Sequence, residues 1–303
     1  MNQVLKKNKK YPLVTIITPT YNRASFLEET IQSVLKQDYP NIEYIVLDDG
    51  STDRTTGVVK KFGDKLIYEH HKNIGEVRTV NKGFMLAKGE IIGVVNSDDP
   101  LLPGAISEIV KFMINNPEII VVYSDWIYID ENGREIRKFF TSDYDYEHMI
   151  RTHNCPLGAS AFFRKKILKI LKGRDERFRY VSDYDFWLRA GLIGKFARIP
   201  KILATSRVHP GQATLKGRSF RAAMDHIRVI EKIFSDPKLP PYIKKIKSEA
   251  YEKACEAARI CRGNRFSTKI LISLVCLYYS PFPYLKIFIR FRLQRLNKLF
   301  PYR

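Results

Sequence analysis

Short apolar runs recur along the first half of the chain. Most of them are rich in Val and Ile and lack polar alternation, as in LVTII at 13–17, which is typical of strands buried on both faces of a sheet. The pattern predicts strands at 13–17, 42–49, 65–71, 90–96 and 118–130.

Segments with helical spacing of apolar residues lie between these runs. They predict helices that begin at Ser25, near Asp53, at Glu76 and at Pro103. Ser25 and Glu28 have capping-box spacing, so we expect a side-chain cap on the first helix. The alternation of strands and helices predicts an α/β fold with a mainly parallel sheet between helices. The Asn-Gly pair within 130–135 predicts a hairpin that adds an antiparallel part.

The remainder of the chain has a different pattern. From Ser219 onward only helical spacing is present, which predicts an appended helical region. We therefore divide the 303 residues into a basic tail at 1–11, an α/β domain at 12–214 and a basic helical region at 215–303.

Charge supports this division. The net charge is +20, and residues 215–303 contribute 20 basic and 6 acidic side chains, with no acid after Glu256. Such a balance favours an acidic partner, namely nucleic acid, anionic lipid or a phosphorylated substrate. The 45% apolar content supports a packed core and argues against a disordered chain.

The four cysteines and the N-terminus indicate the compartment. No CxxC spacing or histidine cluster accompanies the cysteines, which argues against a structural zinc site. The start of the chain is basic but has no apolar segment of the kind that secretory signals contain. We therefore expect a cytoplasmic protein with free thiols.

Polar motifs follow three of the predicted strands: TPTYNR after the first, DDGS after the second and NSDD after the fourth. Each alone is an ordinary turn sequence. Three at equivalent positions favour a ligand site, because ligands of parallel sheets bind at the carboxyl ends of the strands. P-loop and dinucleotide-binding signatures are absent from the sequence.

Two adjacent carboxylates, Asp98 and Asp99, need a positive partner. A strand end with paired carboxylates suits a hard divalent cation such as Mg²⁺ or Mn²⁺ that also binds phosphate oxygens. Asp49, in the DDGS turn, has the chemistry to accept a hydrogen bond from the N–H of a nucleobase.

The motifs together resemble family 2 glycosyltransferases, which have a GT-A type fold for nucleotide-diphospho-sugars. The resemblance covers roughly residues 12–212, from VTIITPTYNR through DDGSTD and NSDD to SDYDFWLRAG. It implies an inverting, metal-dependent transfer of a sugar from a nucleoside-diphosphate sugar, with a UDP-sugar as the expected donor. The implied acceptor is a hydroxyl group of a glycan or a lipid-linked sugar, in the synthesis of cell-surface polysaccharide or glycolipid.

The resemblance also implies roles for individual residues. Asp183 matches the catalytic base, and Asp99 and His209 match the groups that reach the metal or the diphosphate. The nucleotide-binding positions are Pro19, Thr20, Tyr21, Asp49 and Asp98. Asn96 and Ser182 stand where the family often has acidic residues, and these departures bear on the identity of the nucleotide.

Other interpretations remain open at this stage. Asp183 and Asp185 begin a helical pattern, where capping is the common use of an aspartate. A nucleotidyltransferase that makes a nucleotide-sugar would need a Gly-rich loop after the first strand, and TPTYNRAS has no glycine. A nucleic-acid-binding module would leave the acidic strand ends unexplained, so we expect no nucleic-acid partner.

The end of the chain predicts a membrane-surface location. The run ILISLVCLYYSPFPYL at 270–285 is too short and too interrupted by proline to cross a bilayer, which takes about 20 apolar residues. The basic and apolar residues that follow it suit a helix lying in the interface of an anionic membrane. The alternative is a basic helix packed on the catalytic domain.

Overall fold

The computed structural model describes residues 11–212 and 218–280. These residues form two compact units, one containing 11–144 and 155–212 and the other containing 145–154 and 218–280. The second unit therefore includes a segment from the middle of the α/β sequence. Nearly all of the predicted tail at 1–11, and the part of the predicted membrane segment beyond residue 280, lie outside the described residues.

Eight strands form the sheet in the described part of the first unit. They are β1 (Val14–Thr20), β2 (Ile42–Asp48), β3 (Ile67–His70), β4 (Ile91–Val94), β5 (Ile119–Ile129), β6 (Glu135–Phe139), β7 (Phe162–Arg164) and β8 (Lys195–Arg207). The order is β3-β2-β1-β4-β7-β5-β6, with β8 paired along β5. Strands β6 and β7 are antiparallel to their neighbours and the other pairings are parallel. This confirms the predicted fold class, including the antiparallel hairpin at β5–β6.

Strand β8 has no counterpart among the predicted elements. Its sequence contains Pro200 and several charged residues, so the local sequence does not predict a strand there. In the structure the ladder with β5 skips 200–201, so that Ser124 pairs with Ile199 and Asp125 with Ile202. This bulge removes the proline from the hydrogen-bonding register and lets the strand continue.

The helices of the first unit follow the predicted order, except for a short helix at Leu168–Leu171 that the sequence did not predict. They are α1 (Ala24–Leu35), α2 (Thr55–Lys60), α3 (Glu76–Leu86), α4 (Ala105–Asn115), α6 (Leu168–Leu171) and α7 (Ser182–Gly191), whereas α5 (Tyr146–Thr152) belongs to the second unit. Short 3-10 turns lie at Gly63–Lys65 and Lys165–Ile167.

The predicted capping box on α1 is wrong. The helix begins at Ala24, and its N-cap residue Arg23 makes no side-chain cap. Instead, Asp53 Oδ2 accepts the Ala24 N–H at 3.2 Å and Thr55 Oγ1 accepts the Arg23 N–H at 3.1 Å. The loop after β2 therefore satisfies donors that the sequence assigned to a local cap.

A close approach inside the sheet explains a glycine in β4. A Cβ atom on Gly93 would lie 2.3 Å from Cε1 of Phe162, the β7 residue that pairs with it. The ring occupies the space that a side chain would need. The third strand residue of β4 is therefore restricted to glycine by packing, and the neighbouring Ile91 and Ile92 fill the core.

The second unit is helical. In addition to α5 it contains α8 (Phe220–Phe234), α9 (Pro241–Lys244), α10 (Lys247–Cys261) and α11 (Phe266–Tyr279). Helix α10 packs against α5, α8 and α11, and Arg151 Nη1 of α5 contacts Glu249 Oε2 of α10 at 3.0 Å. Within residues 11–212 and 218–280, no helix has the combined length and apolarity needed to cross a bilayer.

Candidate functional site

The three polar motifs lie at one edge of the sheet. Strands β2, β1 and β4 are adjacent and parallel, so their carboxyl ends lie side by side. The Asp49 N–H donates to the Thr20 carbonyl at 2.9 Å and links the first two motifs, and the Thr30 hydroxyl of α1 donates to the Ser97 carbonyl of the third motif at 3.0 Å. The fold thus brings together segments that are far apart in sequence.

Asp99 is the buried member of the carboxylate pair. Its Oδ1 accepts the Arg207 N–H at 2.8 Å, and its Oδ2 accepts the side-chain amide of Asn96 at 2.9 Å. Burial, followed by the charge of Asp98, raises the pKa of Asp99 to about 7, although its two hydrogen bonds act in the opposite direction. Asp99 therefore serves as an internal acceptor that ties the NSDD loop to the end of β8.

Asp98 is the member that faces His209. The His209 Nε2 atom lies 2.9 Å from Asp98 Oδ2, and Arg23 Nε lies 3.7 Å from the same oxygen. Because the Gly211 N–H donates to His209 Nδ1 at 3.2 Å, the ring proton is on Nε2 and is donated to Asp98. The repulsion between the two carboxylates is thus offset by donors from distant parts of the chain.

Arg207 also stabilises this arrangement, although none of the sequence motifs indicated it. Its buried guanidinium donates from Nε to the Asp98 carbonyl at 3.0 Å and from Nη2 to Glu29 Oε2 at 2.5 Å. It also lies 5.0 Å from the ring centroid of Phe26, which in turn contacts the His209 ring. The usable signal was an arginine two residues before His209, at the end of the run ILATSR.

The predicted nucleotide-binding residues of the first motif are close to one another. Pro19 and Thr20 end β1 in register with Leu47 and Asp48 of β2, and Tyr21 follows with an exposed ring. Thr20 Oγ1 is buried and has no hydrogen-bond partner among the described residues. A buried hydroxyl without a partner is unusual, and it is compatible with a polar ligand at this position.

Asp49 makes contacts that the sequence did not predict. Its two carboxylate oxygens accept the backbone N–H groups of Ile74 and Gly75, at 2.7 and 3.0 Å. Gly75 has a φ of 90°, which lets the chain turn into α3 there. His71 lies beside this carboxylate, and its Nε2 is buried with no partner among the described residues. Asp49 thus fixes the loop that begins α3.

Asp183 lies in the first turn of α7, where it is exposed. The N-cap position is Val181, so Asp183 is not the capping residue, and its Oδ1 accepts the adjacent Tyr184 N–H at 2.8 Å. Asp185 is buried and forms an ion pair with Arg189 instead. Of the two aspartates, only Asp183 is open to a substrate.

Glu76, at the start of α3, is influenced by charges from both parts of the site. Burial raises its pKa, as do the charges of Asp183 and Asp98, while Arg174 and Arg23 lower it. Its side chain nevertheless keeps 55% of its surface exposed. Glu76 is therefore within electrostatic range of both Asp98 and Asp183. Sequence reasoning treated it only as a helix start.

The donor set for a divalent cation is small. No group of three or more His, Cys, Asp or Glu side chains within the described residues could hold a metal by itself. Asp98 and His209 are adjacent, and the Asp98 side chain is 14% exposed. Mg²⁺ and similar cations commonly take one or two carboxylates and complete their coordination with water and substrate phosphates. The residues present fit a cation that a diphosphate helps to bind.

The chain matches a known family. The model of "Glycosyl transferase family 2" matches residues 15–171. An uncharacterised glycosyltransferase of Rickettsia typhi is 30% identical over 218 residues, which cover 69% of this chain and 68% of the relative. One from Methanocaldococcus jannaschii is 31% identical over 188 residues, covering 59% and 64% of the two chains.

Solved structures share the fold. Residues 1–349 of Staphylococcus aureus TarS in complex with UDP-GlcNAc superpose with a TM-score of 0.67 at 21% identity, covering 82% of this chain and 74% of that one. The mannosyltransferase PcManGT of Pyrobaculum calidifontis, in complex with GDP-Man and Mn²⁺, superposes with a TM-score of 0.60 at 20% identity, covering 92% and 84%.

Proposed function

Since this chain belongs to glycosyltransferase family 2 and is a glycosyltransferase, we propose that it transfers a sugar from a nucleoside-diphosphate sugar to a hydroxyl acceptor with inversion. A UDP-sugar is the expected donor, and UDP and UDP-GlcNAc are the ligands of the TarS complexes that share its fold. The observation that carries the proposal is the edge of the sheet where the motifs after β1, β2 and β4 meet and where Asp98 Oδ2 lies 2.9 Å from His209 Nε2.

Asp183 is the proposed catalytic base. Its side chain is exposed, on the first turn of a helix whose other aspartate is already paired. In this role its carboxylate takes the proton of the acceptor hydroxyl as the oxygen attacks the anomeric carbon. The bond to the diphosphate breaks on the opposite side, and one displacement of this kind inverts the configuration.

Asp98 and His209 are the proposed residues for Mg²⁺ or Mn²⁺, and His209 Nε2 would have to give up the proton that it donates to Asp98 in order to hold the cation. Sequence reasoning assigned the direct contact to Asp99 and His209, but both Asp99 oxygens accept hydrogen bonds inside the protein. Asp98 is the carboxylate that lies next to His209, so we assign the contact to Asp98. The cation would neutralise the charge of the departing diphosphate. Arg23, which contacts Asp98, adds a fixed positive charge to the same region.

The acceptor and the location complete the proposal. A glycan or a lipid-linked sugar would supply the hydroxyl group, in the synthesis of cell-surface polysaccharide or glycolipid. The basic C-terminal region supports a location at the cytoplasmic face of the cell membrane, where anionic lipids attract Lys and Arg.

The reaction is tested by incubating a panel of nucleoside-diphosphate sugars with Mg²⁺ or Mn²⁺ and measuring release of the nucleoside diphosphate. Asp183→Asn should lower turnover by ~10²–10⁴-fold, because a general base contributes about that much. Its donor affinity should stay close to that of the parent. Asp64→Asn, an exposed aspartate on a separate turn, is the control. Near-normal turnover of Asp183→Asn would refute the assignment of the base.

The metal assignment is tested by calorimetry of UDP binding with and without Mn²⁺. Asp98→Asn should abolish the Mn²⁺-dependent part of the binding. Asp99→Asn should retain most of it, because the asparagine oxygen still accepts the Arg207 N–H. The opposite pattern, with binding lost only in Asp99→Asn, would restore the assignment made from the sequence.

A further inference from the structure

Helix α11 exposes a continuous apolar stripe. The stripe consists of large side chains that are 45–81% exposed: Phe266, Ile270, Leu271, Leu274, Leu277 and Tyr278. Steps of three and four residues place them on one face of the helix. Within α11 the fully buried residues are Ile272 and Cys276, on the opposite face. The helix is therefore apolar on both sides, and only one side is covered by the second unit.

Cations without acidic neighbours in sequence accompany the stripe. Arg262 and Arg265 lie in the loop before α11, and Lys269 lies in its first turn. Ten Lys and Arg residues and no Asp or Glu follow Glu256, and six of the ten belong to residues 281–303. A helix with large exposed apolar side chains and basic residues at its start is complementary to a surface with an apolar interior and anionic groups at its rim.

We propose that the α11 stripe, with Arg262, Arg265 and Lys269, is a docking surface for an anionic lipid bilayer. Helix α11 would lie in the plane of the interface, with its stripe in the acyl boundary and the cations at the headgroups. Its 14 residues are fewer than the roughly 20 that a spanning helix needs. This inference rests on the proposed membrane location, but it does not depend on the proposed chemistry.

A second copy of the chain fits the stripe less well. A symmetric dimer would bury the stripe of each copy against the other, but the α11 sequence contains no acidic residue that could neutralise Arg262, Arg265 and Lys269. Anionic headgroups supply that counter-charge. Charge complementarity therefore selects the bilayer as the occupant.

The experiment is flotation of the full chain with vesicles of phosphatidylcholine alone or with 30% phosphatidylserine. The anionic vesicles should carry the protein and the neutral vesicles should carry much less. Leu271→Ser with Leu274→Ser should lower the partition coefficient by roughly tenfold, because two exposed apolar anchors are lost. Met85→Ser with Ile136→Ser is the matched control, since these exposed residues lie in the first unit. Arg265→Gln with Lys269→Gln should cost about fivefold per charge on anionic vesicles only.

Three results would overturn the proposal. The full chain could fail to float with anionic vesicles, or the stripe variant could float as well as the parent, which would assign binding to another segment. Light scattering could also show a dimer that the stripe variant dissociates, which would make a second copy the occupant. Donor hydrolysis, measured without vesicles on the same variants, should be unchanged. Its absence in every variant and in the parent would count against the proposed chemistry, while the docking result stands on flotation alone.

Discussion

Replacing Asp49 with asparagine should destabilise the protein even when no nucleotide is present. In the structure, both carboxylate oxygens accept backbone N–H groups, at 2.7 and 3.0 Å from Ile74 and Gly75. The asparagine side chain keeps one acceptor oxygen for one of these N–H groups. Its NH₂ group would face the other N–H, and two donors cannot form a hydrogen bond. Hydrogen bonds to charged groups contribute ~1.5–3 kcal/mol, and water can reach a donor left unpaired here because both bonds are only part-buried.

We therefore expect Asp49→Asn to lose about 1.5–3 kcal/mol of unfolding free energy. For a protein of this size, that corresponds to a fall in melting temperature of roughly 3–12 °C. The assay is thermal unfolding followed by near-UV circular dichroism, with and without UDP and Mn²⁺. Asp64→Asn, which replaces an exposed aspartate, should melt with the parent. An unchanged melting temperature without nucleotide, together with lost UDP affinity, would refute this reasoning and favour a direct contact between Asp49 and the base.

Two further predictions concern the sheet. Gly93→Ala should cost about 1–3 kcal/mol in urea unfolding, because its Cβ meets the Phe162 ring, and Phe162→Leu in the same chain should recover part of the loss. Asp125→Asn should cost ~3–5 kcal/mol at pH 7 by breaking the buried pair with Arg198. Burial raises the pKa of Asp125, but the hydrogen bonds from Arg198 and Thr141 lower it by more than burial raises it. The pKa of Asp125 is therefore lowered from 3.8. The stability from this carboxylate is therefore present above pH 4 and lost as pH falls below it, so parent and variant should converge in acid.

The local sequence was sufficient for the architecture of the first half of the chain. The order β1-α1-β2-α2-β3-α3-β4-α4-β5 follows from the apolar pattern. A strand buried on both faces is a continuous apolar run, whereas a helix buried on one face has apolar residues every three or four positions. The β5–β6 hairpin follows from Asn-Gly, whose backbone preferences fit a tight turn. The order of the three polar motifs also follows from the sequence, since each comes directly after a strand.

Only the tertiary structure decided which atoms meet. Residues 111 positions apart form the Asp98–His209 contact, and neither spacing nor composition specifies which of two adjacent carboxylates turns toward the histidine. The α1 cap came from Asp53 in the next loop, and β8 continued past Pro200 because β5 offered a long partner strand. In each case a distant group competed successfully with the local rule. A backbone N–H or a carboxylate forms its hydrogen bond with whichever group the folded chain places beside it. In these cases that group is distant in sequence, so the local sequence could not predict it.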